Sequence, residues 1–309
     1  MTGYDNAGDA TMPLPKFHYH EPASLDQALE LVDRFREKGM LLAGGTDLLV
    51  KMKERACRPG HIISLAGIGR LTRIMVSGDC CAIGACCTAA QLAESDVIRS
   101  CFPALSQGAN ELGSPTVRNM GTIGGNIVTA SPAADLPPAL IAYGASVILR
   151  SRAGERCMPL EDIFKGPGVT RIKAGEILTG ISMKIPPALS GAGFFKLGNR
   201  RALQISVING ACHVRLNAGG KEIETARIAL GAVAPTPVRA FAAEKLLKGK
   251  KPGPELFKQA GKAAAKGCAP IDDLRGSANY RKEMVGVLTT RTLESAFGQI
   301  PDPSGRESL

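Results

Sequence analysis

Leu41-Leu42-Ala43-Gly44-Gly45-Thr46-Asp47 is the stretch on which a reading of this chain turns. Met40 to Ala43 reads as a buried strand, and Leu48 to Lys53 reads as a helix, so two glycines lie in a strand-to-helix turn. Such a turn can offer bare backbone N–H groups to a phosphate, with the helix start adding favourable partial charge. A second reading fits the same residues: glycine supplies a positive φ, and Thr46 or Asp47 caps the helix.

A related segment follows at Pro115-Thr116-Val117-Arg118-Asn119-Met120-Gly121-Thr122-Ile123-Gly124-Gly125-Asn126. It carries hydroxyl, amide and backbone donors in a glycine-rich turn, without the lysine of a P-loop and without GxGxxG spacing. Two separate donor-rich turns suit a ligand with two phosphates, whereas a tight loop in a β-rich domain is the plain structural alternative. Ser131-Pro132-Ala133-Ala134-Asp135-Leu136-Pro137-Pro138 comes next. Asp135 opens a helix there, so its carboxylate can accept ligand hydroxyls or cap the helix.

Working outward, Phe17 to His20 reads as a strand, and Ser24 to Gln27 has capping-box spacing. The helix that follows puts Leu25, Ala28, Leu29, Val32 and Phe35 on one face and stops near Gly39. Short strands at His61 to Leu65, Arg73 to Val76 and Cys81 to Ala85 precede helices at Thr88 to Ser95, Pro103 to Leu112 and Ala133 to Tyr143. A strand from Glu176 to Ile185 ends at Pro186-Pro187, and Ala188 to Gly193 reads as a linker. Strands at Gly193 to Leu197, Ser206 to Leu216 and Thr225 to Ala232 follow, the last two joined by a turn at Asn217 to Gly220. Helices over Phe241 to Lys248 and Pro254 to Gly267, and a last one with Tyr280, Met284, Val287 and Leu288 on one side, complete the chain. The fold class is α+β. Residues 1–16 read as a leader, 17–188 as a first domain with lobes 17–73 and 74–188, 193–297 as a second domain, and 298–309 as a tail.

Of 309 residues, 44% are hydrophobic and 21% charged, which fits a folded globular chain. No apolar stretch approaches a membrane span and the N-terminus has no signal-peptide core, so a cytoplasmic protein is expected. The net charge of +10 comes from dispersed residues, and aromatics are only 4%. That pattern points to a basic surface for an acidic partner and away from nucleic acid. Nine cysteines without CxxC spacing read as reduced thiols. Cys80-Cys81 and Cys86-Cys87 could gather thiolates in a hairpin, but neighbours in a strand point to opposite faces, so no metal is expected.

The three motifs, Ala43 to Asp47, Thr122 to Asn126 and Ser131 to Pro138, resemble in order and spacing the FAD-binding medium subunits of molybdenum hydroxylases, of the xanthine, carbon monoxide and nicotinate dehydrogenase type. The resemblance continues through Phe194-Phe195-Lys196-Leu197-Gly198-Asn199-Arg200-Arg201 and spans Phe17 to Phe297. It implies a two-lobed FAD-binding domain of the vanillyl-alcohol-oxidase (PCMH) type and a small C-terminal domain with a three-stranded antiparallel sheet and helices. By position, Leu41, Leu42, Ala43, Gly44, Gly45, Thr46, Asp47 and Leu48, with Thr122, Ile123, Gly124, Gly125 and Asn126, would line the FAD phosphates and ribityl chain. Asp135 matches a cofactor-binding acid. Leu112 stands where relatives place an aromatic, Leu178 matches an apolar ring contact, and Lys196 matches a lysine near the flavin, although by itself it reads as a surface lysine.

No His or Cys stands in a glycine motif, so FAD is expected to be noncovalent. The resemblance implies partners: a small subunit with [2Fe-2S] clusters and a large subunit with molybdopterin, in a heterotrimer or a dimer of heterotrimers, with NAD or another carrier as acceptor. No catalytic residue is assigned to this chain. A self-sufficient FAD-dependent oxidoreductase with its own small organic substrate is the alternative, but it calls for a substrate cap and convergent acid-base groups that the sequence does not offer. A non-enzymatic basic binding protein leaves the ordered glycine turns unexplained.

Overall fold

The computed structural model describes residues 14–200 and 204–301. Most of the expected leader, Arg201 of the last motif, and the tail beyond residue 301 lie outside the described residues.

Ser24 starts the first helix by accepting a hydrogen bond from the Gln27 N–H at 3.2 Å. The Gln27 side chain turns back to the Ala23 N–H at 2.9 Å, one residue earlier than capping-box spacing predicts. This helix, α1 (Leu25–Phe35), follows β1 (His18–His20) and leads through a single 3-10 turn into β2 (Gly39–Leu42). After α2 (Leu48–Lys53) the chain returns as β3 (His61–Ser64), and the strands pair in parallel in the order β1-β3-β2. Parallel neighbours need a crossover. Here α1 joins β1 to β2 and α2 joins β2 to its neighbour β3, with α1 burying Leu25, Ala28 and Leu29 against Ile63 and Leu65.

The second lobe is an antiparallel sheet. It begins with the hairpin β4 (Ile74–Ser77) and β5 (Cys80–Gly84), then runs through six helices: α3 (Ala89–Glu94), α4 (Asp96–Cys101), α5 (Pro103–Asn110), α6 (Pro115–Met120), α7 (Ile123–Thr129) and α8 (Leu136–Ala142). The hairpin β6 (Ser146–Ser151) and β7 (Gly154–Pro159), the short pair β8 (Phe164–Gly166) and β9 (Val169–Thr170), and β10 (Ile177–Lys184) complete it, in the order β4-β5-β10-β6-β7. Strands β6 and β7 are absent from the expectations above. Only Val147 and Leu149 of β6 are fully buried, too few apolar positions to announce a strand.

The paired cysteines point into different surroundings, Cys80 and Cys81 on β5 and Cys86 and Cys87 in the turn that follows it. Cys81 and Cys87 lie in the second-lobe core, and Cys86 joins the core of the first lobe. Burial pushes their thiols up, Cys81 and Cys87 to about 11 and Cys86 to about 12, so they stay protonated and pack as small apolar groups.

The C-terminal sheet holds three long antiparallel strands, β11 (Ser190–Leu197), β12 (Ile208–Leu216) and β13 (Ile223–Gly231), with a two-residue edge strand β14 (Val238–Arg239). Ser190 to Gly193 of the stretch read as a linker are therefore the first half of β11. Its small residues are there because helix backbone lies on them: a Cβ on Gly191 would sit 1.9 Å from the Ala296 carbonyl oxygen. Helices α9 (Phe241–Leu247), α10 (Pro254–Lys266) and α11 (Ala278–Gly298) cover one face of this sheet. On α11 the buried face is Arg281, Val285, Thr289, Thr292, Leu293 and Ala296, not the expected Tyr280 and Val287, which stay exposed. Met284 and Leu288 do pack against the core, but the buried face is half polar, because Arg281 donates to the Ala232 carbonyl and pairs with Asp273, so apolar periodicity is rotated off it.

The other face of the sheet lies on the second lobe, where Ala192, Ala211 and Ala229 share a core with Leu136, Leu140 and Phe102. His213 is in this interface, 5.2 Å from the Tyr143 ring, and burial with Arg227 and Arg215 nearby pushes its imidazole down to about 4. The unfolded chain, with an ordinary histidine near 6.5, takes up this proton first. Stability is then complete above pH about 6.5 and declines toward pH about 4, by at most about 1.4 kcal/mol per pH unit from this group. Urea unfolding of wild type and His213→Gln across that range checks this: the variant should lose less on acidification. Gly191→Val should lower the unfolding midpoint at every pH, by about 1–3 kcal/mol or more, through the clash with Ala296.

Candidate functional site

A cleft of about 940 Å³ runs between the parallel sheet of the first lobe and the helices of the second, with Gln204 and Ile205 of the C-terminal region at its edge. That volume suits a cofactor-sized ligand. The wall from the first lobe is the turn between β2 and α2. Gly45 adopts φ +73°, which favours glycine, and a Cβ on Gly44 would sit 1.8 Å from the Met120 carbonyl oxygen. The two glycines thus do different work. Gly45 bends the chain, and Gly44 lets the first turn rest on the segment just before the second motif.

Asp47 stands at the N-cap position of α2 but makes no side-chain cap bond. Among the described residues, the N–H groups of Gly44, Gly45, Thr46, Asp47 and Leu48 meet no protein acceptor. A run of unpaired N–H groups along a cleft is a site for anionic oxygens.

The second motif is not a loop. Thr122 caps α7, its hydroxyl accepting from the Gly125 N–H at 3.0 Å, so Gly124, Gly125 and Asn126 form the first turn of a helix. The N–H groups of Ile123 and Gly124 donate to the carbonyls of Cys87 and Ala85. Gly124 is needed for that packing, since its Cβ would lie 2.6 Å from the Ala85 oxygen; a Cβ on Gly125 would meet only the Thr122 hydroxyl, at 3.0 Å. Asn126 faces the cleft, and its Oδ1 is buried without a partner.

Of the residues singled out from sequence, all but Leu42, Ile123 and Lys196 line the cleft. Ile123 is fully buried in the second-lobe core, and the Leu42 side chain packs under Gly45. Leu112 is 9% exposed and Leu178 4%, and they give the cleft apolar wall on the second-lobe side. Arg118 fixes Leu112 by donating to its carbonyl at 3.1 Å.

Lys196 is not a surface lysine. Its side chain is 1% exposed and its Nζ lies 2.7 Å from Asp135 Oδ2. Asp135 makes no side-chain bond to its own helix; it accepts instead from Lys196, Ser206 and Asn209, all from the C-terminal region. Its carboxylate oxygens are therefore largely committed to protein donors.

Sequence reasoning missed Ser206 and Asn209, although an asparagine inside the apolar run Val207 to Cys212 is a usable signal. It also missed Arg36, Lys51, Lys173 and Gln204, which line the cleft. Lys51 is four residues after Asp47 on α2 and could have been inferred from helical spacing. No local pattern marks the other three.

The donor set fits FAD: unpaired N–H groups for a pyrophosphate, an orphaned amide oxygen for a hydroxyl or ring N–H, and apolar wall for an aromatic ring. Among the described residues no pair of free acid-base groups converges in the cleft; Glu176 is taken by Arg156 at 2.7 Å, and that bond holds its carboxyl below the usual range.

Residues 15–187 match the FAD binding domain in molybdopterin dehydrogenase, and residues 193–296 match the CO dehydrogenase flavoprotein C-terminal domain. The chain is similar to the carbon monoxide dehydrogenase medium chain of Hydrogenophaga pseudoflava, 33% identical over 92% of this chain and 98% of that protein. It is also similar to the xanthine dehydrogenase FAD-binding subunit of Escherichia coli O157:H7, 30% identical over 90% of this chain and 95% of that one. Its fold superimposes on a chain of the solved Hydrogenophaga pseudoflava carbon monoxide dehydrogenase with a TM-score of 0.89 and 34% identity, covering 94% of this chain and 100% of the other. With both parts of the chain matched and near full-length likeness to such subunits, this protein belongs to the FAD-binding medium subunits of the molybdenum hydroxylase family.

Proposed function

We propose that this subunit holds FAD noncovalently in the cleft, takes electrons from the [2Fe-2S] clusters of a small partner subunit, and passes them to a carrier such as NAD. A molybdopterin-containing large subunit would oxidise the organic substrate, in a heterotrimer or a dimer of such trimers. The observation that carries this reading is the row of unpaired N–H groups from Gly44 to Leu48, facing Asn126 across a cofactor-sized cleft. Bound FAD supplies one- and two-electron chemistry.

The protein's residues bind and orient. Gly44 to Leu48 would hold the pyrophosphate, and neutral N–H dipoles sharing its charge remove the need for a dedicated cation. Asn126 Oδ1 would accept from a hydroxyl or a ring N–H. Leu112 and Leu178 would keep water from the ring, with Leu112 offering an aliphatic contact in place of a stacked aromatic. The cleft's lack of paired acid-base groups supports electron transfer over oxidation of an organic substrate by this chain. Its nine cysteines are free thiols, a state that a reducing compartment maintains and that supports placing the assembly in the cytoplasm.

Gly125→Val should reduce FAD retained on purification at least about tenfold, a cost of roughly 1.4 kcal/mol, while the apoprotein keeps its unfolding midpoint. Gly124→Val should lower the midpoint as well, because its side chain meets the Ala85 backbone. Flavin stoichiometry and thermal unfolding measured together separate the two, and a fully flavinated Gly125→Val removes this glycine from the cofactor site.

Native purification through a tag on this chain, with cofactor extraction and metal analysis, tests the assembly. The expected result is FAD together with iron-sulfur and molybdopterin subunits. A yellow single chain that oxidises an organic substrate unaided would overturn the electron-transfer role.

A further inference from the structure

Lys196 reaches from β11 into the second lobe, where its Nζ donates to Asp135 Oδ2 at 2.7 Å and to the Glu111 carbonyl at 2.8 Å. The Asp135 side chain is 9% exposed, at the cleft wall. Its Oδ1 accepts from Ser206 Oγ at 2.7 Å and Asn209 Nδ2 at 2.9 Å, and the same Asn209 amide reaches the Ala134 carbonyl at 3.0 Å. Ser206 and Asn209 are themselves fully buried. Among the described residues, the donors to Asp135 thus come from the C-terminal sheet or the segment entering it, while Asp135 itself heads a second-lobe helix.

Opposite charges this close act at a distance as a dipole and not as a net charge. If one member is removed, a full charge remains in a site with little water to screen it. An uncompensated ammonium at the cleft wall favours a ligand that gains electrons, and an uncompensated carboxylate disfavours it. Opposite effects of the two deletions follow from the geometry.

We propose that Asp135 and Lys196 form a charge-neutral latch between the C-terminal sheet and the cofactor cleft, positioned by Ser206 and Asn209, and that its neutrality sets the reduction potential of the cofactor held there. The potential part rests on the reading of the cleft as the FAD site. The latch part does not.

The test uses the full-length chain as wild type, Asp135→Asn, Lys196→Met and the double variant. With FAD bound, spectroelectrochemical titration should give a midpoint potential shifted up in Asp135→Asn, down in Lys196→Met, and back near wild type in the double variant. Shifts of one sign in both single variants, or none in either, overturn the proposal. Without FAD, urea unfolding should show each single variant losing more stability than the double variant, because only the singles bury an unpaired charge. Additive losses overturn the latch. A wild-type chain that binds no FAD fails the reading of the cleft, and the urea series still decides the latch. If a single variant does not fold, a folded double variant with the wild-type potential supports the proposal, and an unfolded double variant overturns it.

Discussion

A carboxylate and an ammonium that have both left water must find partners for most of their remaining hydrogen-bonding capacity, and at Asp135 and Lys196 they do. The carboxylate has three side-chain donors, and the ammonium has a carbonyl as well as the acid. Such an arrangement adds little net stability over an apolar one but tolerates little displacement, because any shift strands a buried charge. This fixes where β11 and β12 meet the start of α8. The rest of the interface follows from that anchor: Ala192 and Ala211 present a flat surface to Leu136 and Leu140, and Arg239 of β14 reaches Glu161 on the second lobe at 3.3 Å.

The same economy of space governs the contact between the two lobes beside the cleft. A Cβ on Gly84 would lie 2.2 Å from the Leu71 carbonyl oxygen, and the Cys86 N–H donates to that oxygen at 2.8 Å. Gly44 meets Met120 across the lobes in the same way, and within the second lobe Gly124 meets Ala85. Glycines that look like a phosphate cradle in the sequence are therefore in part the points where backbones touch. At Leu71 and at Ala85 those backbones cannot separate without losing hydrogen bonds, from the Cys86 and Gly124 N–H groups respectively. The unpaired N–H groups from Gly44 to Leu48, with Gly125 and Asn126, line the cleft without serving such a contact.

Local signals located most elements. The Ser24 cap, the Pro at the start of α5 and α10, and the turn at Asn217 to Gly220 between β12 and β13 act within a few residues, so they survive without tertiary information. Signals failed where a distant element decides the outcome. Gly191 to Gly193 resemble a linker because glycine and alanine are also what a strand needs when α11 lies across it, and α11 hides its buried face because that face carries Arg281, Thr289 and Thr292.

The cleft shows the same division. The sequence by itself determined the α+β class and the two glycine motifs that wall the cleft, since backbone donors and tight turns are encoded by short runs of glycine, threonine and asparagine. Only the tertiary structure decided which of those donors stay unpaired, that Gly124 serves packing, and that Lys196 and Asp135 spend their charges on each other. Those outcomes depend on residues far apart in the sequence, 61 positions for Asp135 and Lys196, which meet because buried charges and bare N–H groups must be matched wherever the folded chain brings a partner.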